Sequence, residues 1–408
     1  MKTDQSAPLL LFYASRHIGG GEAYFINLGL AAISAGRRCV VVDYVGGYVI
    51  SRIPGAEHVA YSDELGADYL PACEAFIPVG AVTFLGSKLR LSPESSLLLV
   101  SIHHNHALEL GNWGWLLRRF RPQTAGLWWP LLEPYRFRTV RKLFQTISRR
   151  KGLVYCAPFQ RHFDESYLSL PLEAEVVPIP VPLRSSVSVG AEPGGQAIIW
   201  VSRLAKEKAA IVFEIIRAMK DSRCRRKLII IGEGESMQDI RDRATEAGLE
   251  IETPGVISGA NLDEYLRRHA FLCIGVGTTA VEMSMAGLPT LVAKLPGYCE
   301  GPFVWFNDAH PGDTIVTPST IVRALSLAEA LRQLRSQDEW SRTAQNCQQA
   351  ARLRHDVAAS WGQLSKALRA NELTAAEAGT LARMDQQPFR MIRDCKHWLR
   401  KWLASSRP

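Results

Sequence analysis

The sequence predicts an α/β protein with two domains, each a doubly wound parallel sheet that is covered by helices on both faces. Short apolar runs alternate with helical patterns in the first half of the chain, and the alternation begins again after a segment rich in proline and glycine. The chain has 408 residues, of which 47% are hydrophobic, so each domain can bury a sizeable core.

The first domain is predicted to contain strands over residues 9–14, 38–44, 97–102 and 153–157, with a helix over 22–35. The first apolar run is soon interrupted by Arg16 and His17, which indicates a buried strand rather than a signal peptide. No stretch of about 18 consecutive apolar residues occurs, so we predict no membrane-spanning helix.

The second domain follows the proline-rich run 177–182 and the glycine-rich loop 190–195, and its strands are predicted at 197–201, 228–231 and 290–293. We therefore predict four segments, which are a first domain over 1–185, a linker over 186–196, a second domain over 197–370 and a basic, amphipathic helical tail over 371–408. Eight dispersed cysteines without a Cys-x-x-Cys pair favour a reducing compartment, hence the cytoplasm, and no structural metal.

A glycine-threonine loop opens a predicted helix in the second domain, where a nucleotide diphosphate could bind. Backbone amides at such a helix start can face phosphate oxygens, and Glu282, about one turn later, can accept hydrogen bonds from two ribose hydroxyls. The loop residues assigned to the phosphates are Gly275, Gly277, Thr278 and Thr279. The pattern alone also fits an ordinary turn from strand to helix.

Two cations strengthen the interpretation as a nucleotide site. The strand over 197–201 ends shortly before Arg203 and Lys208, and ligands of open α/β sheets bind at the carboxyl ends of strands. We therefore expect these two side chains to clamp a pyrophosphate.

From about residue 197 to 300, the chain resembles the donor-binding half of the retaining GT-B glycosyltransferases of family 4. The resemblance rests on the Arg-Leu-x-x-Glu-Lys pattern that starts at Arg203, on the strand and loop 228–235 with Gly232, on the run 255–257, on Leu262-x-x-Tyr265 and on the glycine loop with Glu282. A weaker resemblance extends over residues 8–370. It implies two Rossmann-like domains that face each other across a cleft, and a C-terminal helix that packs back on the first domain is one alternative for the tail.

The resemblance also implies an activity, which is transfer of a hexose from a nucleotide-diphosphate sugar to a glycan or lipid-linked acceptor, with retention, in the synthesis of surface polysaccharide or lipopolysaccharide. Arg203 and Lys208 would hold the phosphates, Val256 and Ile257 would hold the base through their backbone, and Glu282 would bind the ribose. The donor is a substrate, and no cofactor or metal is expected, since no Asp-x-Asp motif follows a strand.

One position departs from the family pattern. Members usually carry a glutamate that contacts the transferred sugar eight positions before the ribose-binding glutamate, and here that position is Ile274. An apolar side chain cannot accept hydrogen bonds from sugar hydroxyls. A non-catalytic GT-B scaffold that binds a sugar nucleotide or a glycan therefore stays open, as does a sugar-nucleotide epimerase of the same fold.

A second glycine-rich loop follows the first strand and consists of Gly19, Gly20, Gly21 and Glu22. In a transferase it would approach the donor phosphates and the acceptor. It also resembles a dinucleotide-binding loop, with Asp43 for the ribose, as in an NAD-dependent oxidoreductase. Tyr24 stands where that fingerprint requires a third glycine, which disfavours this alternative.

Three histidines follow the strand over 97–102, namely His103, His104 and His106. They are predicted to lie at the carboxyl edge of the first sheet, where an imidazole could position the acceptor hydroxyl or stabilise charge on the leaving group. A solvated loop is the alternative, and the sequence does not select one ring.

The net charge of +8 is concentrated in two basic segments. Residues 115–151 hold ten Lys and Arg and the single acid Glu133, and 383–401 hold six Lys and Arg and two acids. Aromatic residues accompany the first segment, namely Trp113, Trp115, Phe120, Trp128, Trp129, Tyr135 and Phe137. We predict peripheral contact with the inner leaflet through 111–151 and 383–403, with a tail that packs on the first domain as the alternative. No nucleic-acid-binding module is found, so nucleic acid is not predicted as a partner.

Overall fold

The computed structural model describes residues 7–16, 19–103, 106–117, 120, 122–183, 196–257, 259–294, 303–309, 313–315 and 324–383. The chain divides into two compact units. The first comprises the described residues of Met1–His17, Gly29–Val177 and Gly362–Pro408, and the second comprises those of Ile18–Leu28 and Pro178–Trp361.

The first unit is built on an eight-stranded sheet. Its strands are β1 (Leu9–Phe12), β2 (Cys39–Tyr44), β3 (Glu57–Ser62), β4 (Gly66–Ala67), β5 (Glu74–Pro78), β6 (Ser96–Ser101), β7 (Leu153–Tyr155) and β8 (Glu175–Val176). They lie in the order β4-β3-β2-β1-β5-β6-β7-β8, and all neighbours are parallel except β3 and β4. The sheet therefore changes its direction of growth between β1 and β5.

Six helices connect these strands. They are α1 (Gly20–Ser34), α2 (His106–Glu109), α3 (Gly114–Leu117), α4 (Pro122–Leu132), α5 (Pro134–Arg149) and α6 (Pro158–Leu168). Two short 3-10 helices cover Ile50–Arg52 and Val79–Phe84. Proline at the first position of α5 and α6 suits the helix start, because the missing amide would have no intrahelical partner there.

The second unit has a six-stranded sheet. Its strands are β9 (Ala197–Val201), β10 (Leu228–Ile231), β11 (Ile251–Gly255), β12 (Ala270–Gly275), β13 (Thr290–Ala293) and β14 (Phe303–Trp305), in the order β11-β10-β9-β12-β13-β14. Only β14 runs antiparallel to its neighbour. The chain builds outward from β9 in one direction and then returns to add β12 on the other side. The carboxyl ends of β9 and β12 consequently flank a topological switch point, where ligands of such sheets bind.

The remaining helices complete the two units. They are α7 (Lys206–Asp221), α8 (Met237–Glu246), α9 (Gly259–His269), α10 (Thr278–Met285), α11 (Leu327–Arg332), α12 (Gln337–His355), α13 (Val357–Ala370) and α14 (Ala375–Arg383). The buried β-branched and aromatic side chains of β9, β10 and β12 form the centre of the second core. Within the ranges given above, no helix is long and apolar enough to cross a bilayer.

The chain returns to the first unit within α13, at Gly362. The Leu97 amide donates to the Leu373 carbonyl at 2.9 Å, the Ala375 amide donates to the Ser95 carbonyl at 2.9 Å, and Arg150 pairs with Glu377 at 2.6 Å. The predicted packing of a C-terminal helix on the first domain is confirmed for α14. The rest of the predicted tail, residues 384–408, lies outside the described residues.

Candidate functional site

The predicted phosphate loop joins β12 to α10. Gly277 has φ +61° and ψ −140°, a conformation that favours glycine, and its amide donates to the Thr314 carbonyl at 2.9 Å. The Gly277 amide therefore already has an acceptor within the protein. Thr278 and Thr279 are the first two residues of α10, so their amides have no intrahelical acceptor and remain suited to an anion.

Glu282 lies in the second turn of α10 and is half-buried. Its neighbours Val281 and Met283 are buried, and Glu282 is the one charged side chain in the helix. A partly desolvated carboxylate close to the start of a helix suits the recognition of hydroxyl groups. The structure thus places Glu282 on the same short helix as the phosphate loop, as predicted.

Arg203 and Lys208 follow β9, the neighbour of β12. Arg203 is exposed in the loop, and Lys208 is the third residue of α7 and half-buried. A cation in the first turn of a helix is opposed by the positive end of the helix dipole. An anionic ligand in front of α7 would compensate this cost, so the position of Lys208 favours the predicted phosphate clamp.

The loop after β10 supports the loop that carries Arg203. Gly232 has φ +138°, and a Cβ atom at this position would overlap the carbonyl oxygen of Ser202. The Leu204 amide donates to the Glu233 carbonyl at 2.9 Å, and a Cβ on Gly234 would lie 2.5 Å from the Leu204 carbonyl oxygen. Glycine is therefore required at 232 because two backbones meet, which gives Gly232 a supporting role.

The predicted base-binding residues follow β11. Gly255 has φ +83°, Val256 is exposed and Ile257 is half-buried against the core of the second unit. Their backbone lies at the same carboxyl edge of the sheet, two strands away from β9. The contact with a base stays a prediction.

The structure brings the loop Gly19–Glu22 to the phosphate loop. The Thr278 hydroxyl lies 3.5 Å from the Gly20 carbonyl oxygen, and a Cβ on Gly20 would lie 2.8 Å from that hydroxyl. Helix α1 begins at Gly20 and α10 begins at Thr278, and both residues belong to the second unit. Two helix starts, each with amides that have no intrahelical acceptor and with a positive dipole end, therefore converge. Gly21 lies in the first turn of α1, and Glu22 is buried beside it.

Asp43 has a structural role in the first unit. Its fully buried carboxylate accepts hydrogen bonds from the amides of Ser15, Tyr44, Val49 and Ile50 at 2.8–3.1 Å. These four bonds occupy the oxygens that a dinucleotide ribose would need. The oxidoreductase alternative therefore lacks its ribose-binding group.

The histidines are not equivalent. His103 is exposed just after β6, whereas His106 begins α2 and is 3% exposed. The two rings meet edge to face, with their centroids 5.2 Å apart. His104 lies outside the described residues. Of the two rings that are described, His103 is the one that solvent or an acceptor can reach.

Asp164 was missed by the sequence analysis. It lies on α6 with no exposed surface, and the Tyr155 hydroxyl donates to its Oδ2 at 3.0 Å. Burial raises the pKa of Asp164 to about 8, while hydrogen bonds from Tyr155, the Ala107 amide and Ser101 oppose the rise and repulsion from Glu109 adds to it. Ser101 and Ala107 bracket the histidine segment, so Asp164 lies beneath it. The helical spacing of the sequence could have indicated that Asp164 is buried, because residues 160, 163, 164 and 167 share the buried face of α6.

Comparison with known proteins gives a family match within the second unit. The family model described as glycosyl transferases group 1 matches residues 185–354. These residues are similar to the glycosyl transferases group 1 family. The predicted relationship is confirmed at this level, and membership of family 4 stays a prediction. In the comparison with curated proteins, none matches the chain.

Solved structures show that the transferase domain is part of a GT-B fold. Anabaena HepE in complex with UDP and glucose has a TM-score of 0.56 and 16% identity over 89% of this chain and 99% of that one. A mutant of S. aureus TarM in complex with Fondaparinux, α-GlcNAc-glycerol and UDP has a TM-score of 0.57 and 9% identity over the same shares. The lipopolysaccharide outer core galactosyltransferase WaaB has a TM-score of 0.50 and 13% identity over 88% and 98%. The predicted α/β fold of the GT-B kind is confirmed.

Ile274 is a core residue of the transferase domain. It lies within β12, pairs with Trp200 and Leu291, and has no exposed surface. The position where the family resemblance places a sugar-binding glutamate thus contributes to the sheet, and it supplies no acceptor for a sugar hydroxyl.

The described part of the chain contains no group of three or more His, Cys, Asp or Glu side chains that could hold a metal ion. The site presents two helix starts, Arg203, Lys208 and the carboxylates of Glu22 and Glu282. This combination can bind a diphosphate through cations and amides and a ribose through Glu282.

Proposed function

We propose that this protein transfers a hexose from a nucleotide-diphosphate sugar to a glycan or lipid-linked acceptor, with retention of the anomeric configuration. The observation that carries the proposal is the convergence of the starts of α1 and α10 at Gly20 and Thr278, on the helix that also carries Glu282. HepE and TarM were solved with UDP, which supports a uridine diphosphate donor, and WaaB supports a polysaccharide or lipopolysaccharide acceptor.

In this mechanism, the protein stabilises the leaving group. Negative charge develops on the diphosphate as the bond to the sugar breaks, and the amides of Thr278 and Thr279 with Arg203 and Lys208 would stabilise it. Glu282 orients the donor through its ribose. These groups supply the positive charge that a metal would otherwise supply, so we propose a reaction that needs neither metal nor cofactor.

The acceptor class and the basic surface suggest a location. We propose that the protein works in the cytoplasm at the inner face of the membrane, where lipid-linked acceptors of surface polysaccharides lie. Nucleic acid is not part of the proposal.

The donor site is tested by thermal shift with UDP, GDP, ADP, CMP, NAD and their sugar conjugates, with and without a chelator. We expect stabilisation by one nucleoside diphosphate and its sugar, unchanged by the chelator. Arg203→Ala and Glu282→Ala should each weaken binding by roughly 1–3 kcal/mol, since each removes a charge-assisted hydrogen bond. Arg225→Ala is the matched control, because Arg225 is exposed ahead of β10 at the amino edge of the same sheet.

Two results would contradict this assignment. Unchanged affinity in both site variants would remove the donor site, and stabilisation by NAD alone would replace it with an oxidoreductase. The specific alternative is a scaffold that binds the sugar nucleotide without transfer, which buried Ile274 favours. Tight donor binding with no release of nucleoside diphosphate in the presence of acceptor extracts would support that alternative.

The histidines offer a separate test of catalysis. His103→Ala should lower turnover by roughly 100-fold without changing the melting temperature, because the ring is exposed at the sheet edge. His106→Ala should instead lower the melting temperature, since it empties a buried position on α2. Initial rates and melting curves of both variants check this, and full activity of a folded His103→Ala protein would exclude the ring from the reaction.

A further inference from the structure

The outer face of α4 carries large apolar side chains that remain in solvent. Leu127, Trp128 and Leu131 are 71%, 50% and 72% exposed, and Leu132 and Tyr135 continue the patch into α5. Seven of the thirteen exposed large apolar side chains in the described part of the chain fall within residues 113–135. Such a concentration marks a surface that is covered in use.

The inner face of α4 is fixed, so the helix cannot turn its apolar side inward. Ala125 and Trp129 are fully buried, and a Cβ on Gly126 would overlap the Ser166 carbonyl oxygen of α6. Trp129 and the half-buried Phe137 meet each other at 5.6 Å. Trp129 belongs to the interior, which corrects the sequence-based expectation that it faces a membrane.

The two helices that form this face, α4 and α5, carry exposed cations and no exposed acid. Glu133 is the only acid between residues 110 and 163, and it is buried, where it accepts hydrogen bonds from the Asn112 amide and the Trp129 indole at 2.9 Å and 3.2 Å. On α5, one exposed stripe consists of Tyr135, Arg138, Lys142 and Arg149, whose spacing keeps them within about 60° around the helix axis. The stripe begins at Tyr135, where the apolar patch of α4 ends.

We propose that the outer face of α4 and this cationic stripe of α5, together the α4–α5 surface, dock on the headgroup region of an anionic bilayer. Leu127 and Leu131 enter the acyl boundary, and Trp128 and Tyr135 lie at the interface. The cations of α5 bind lipid phosphates. The inference deepens the membrane location in the proposed function by naming the surface that makes the contact.

The charge pattern selects a bilayer over a second copy of this chain. A symmetric dimer through the α4–α5 surface would place the cations of both copies against one another with no acid between them. The stripe from Tyr135 to Arg149 extends for about 21 Å at 1.5 Å per residue, which suits a continuous anionic plane.

The test is co-sedimentation of the full chain with vesicles, without donor or acceptor. We expect binding to phosphatidylcholine–phosphatidylglycerol vesicles and much weaker binding to pure phosphatidylcholine. Leu127→Gln/Trp128→Gln/Leu131→Gln should reduce binding by at least tenfold, and Arg138→Gln/Lys142→Gln should reduce it by about fivefold per cation. Leu65→Gln/Leu353→Gln is the matched control, since both leucines are as exposed but lie outside the surface.

All five substituted residues are exposed, so each variant should keep the wild-type melting temperature. Wild-type protein that stays in the supernatant with anionic vesicles would overturn the proposal, as would a triple variant that sediments like the wild type. Equal binding to both vesicle types would refute the role of the cations. Because no donor is present, failure here leaves the transferase proposal standing.

Discussion

Gly232→Ala is expected to unfold the second unit at a much lower temperature than the wild type and to abolish nucleotide binding. The added methyl group would overlap the Ser202 carbonyl oxygen, and φ at this position is +138°, which alanine rarely adopts. Strain in the backbone and overpacking each cost about 1–3 kcal/mol, so we expect a loss of roughly 3 kcal/mol or more. The displaced loop also carries Arg203, which links the loss of stability to donor binding.

Gly248→Ala is the control that separates backbone strain at a positive φ from overlap of the added methyl group with a neighbouring atom. Gly248 also has a positive φ, +68°, but a Cβ there would meet nothing within 4 Å. We expect this variant to lose only about 1 kcal/mol and to keep its nucleotide affinity. Melting curves and thermal shifts of both variants decide the matter. Equal losses of stability in the two proteins would show that overlap with the Ser202 carbonyl oxygen does not contribute to the effect of Gly232→Ala.

Three of the six strands of the second unit could be predicted closely because they are short, apolar and buried on both faces. The predicted strands over 197–201, 228–231 and 290–293 coincide with β9, β10 and β13. Strand ends in the first unit were less well defined, since local sequence does not show where ladder pairing stops. The predicted strand 9–14 ends at Phe12 in the structure, and the predicted helix 22–35 begins at Gly20.

Residue types alone could identify the candidate site but not the environment of each side chain. Three adjacent histidine positions look alike in sequence, yet His106 is buried and His103 is exposed because α2 begins between them. Trp128 and Trp129 are neighbours in sequence, but a helix turns consecutive side chains by about 100°, so one faces solvent and the other the core. The contact of Gly20 with Thr278 joins positions that are far apart in the chain, and no local pattern could predict it.

Asp164→Asn is expected to make the protein more stable near pH 8 and to leave it nearly unchanged near pH 4. The usual pKa of this carboxyl is 3.8, and burial raises the pKa of Asp164 to about 8 in the folded protein. The folded state therefore binds a proton that the unfolded state releases between these values, so the stability that the protonated carboxyl contributes is complete below about pH 4 and lost as pH rises through 8.

Asparagine imitates the neutral carboxyl, since its oxygen can accept the bond from Tyr155 and its amide can donate to Ser101. Each unit of pKa difference is worth about 1.4 kcal/mol, and we expect the variant to gain roughly 2 kcal/mol or more over the wild type near pH 8. Burial raises the pKa of Tyr155 well above its usual value, so Tyr155 remains neutral across this range. Unfolding by urea across the range provides the measurement, with Asp68→Asn, which removes an exposed carboxylate of the same unit, as the control for one lost negative charge.

If Asp164→Asn gained the same free energy of unfolding near pH 4 and near pH 8, Asp164 would be ionised in the folded protein. Its carboxylate would then accept the Ser101 hydroxyl, which in the structure lies 3.3 Å from the His103 carbonyl oxygen. Ser101 has one proton to donate, so an ionised Asp164 and the His103 carbonyl would compete for it, whereas a neutral Asp164 can donate to Ser101 and leave that proton for His103. We therefore expect the protonation state of Asp164 to affect the hydrogen bond from Ser101 to the His103 carbonyl, which follows the last strand residue of β6.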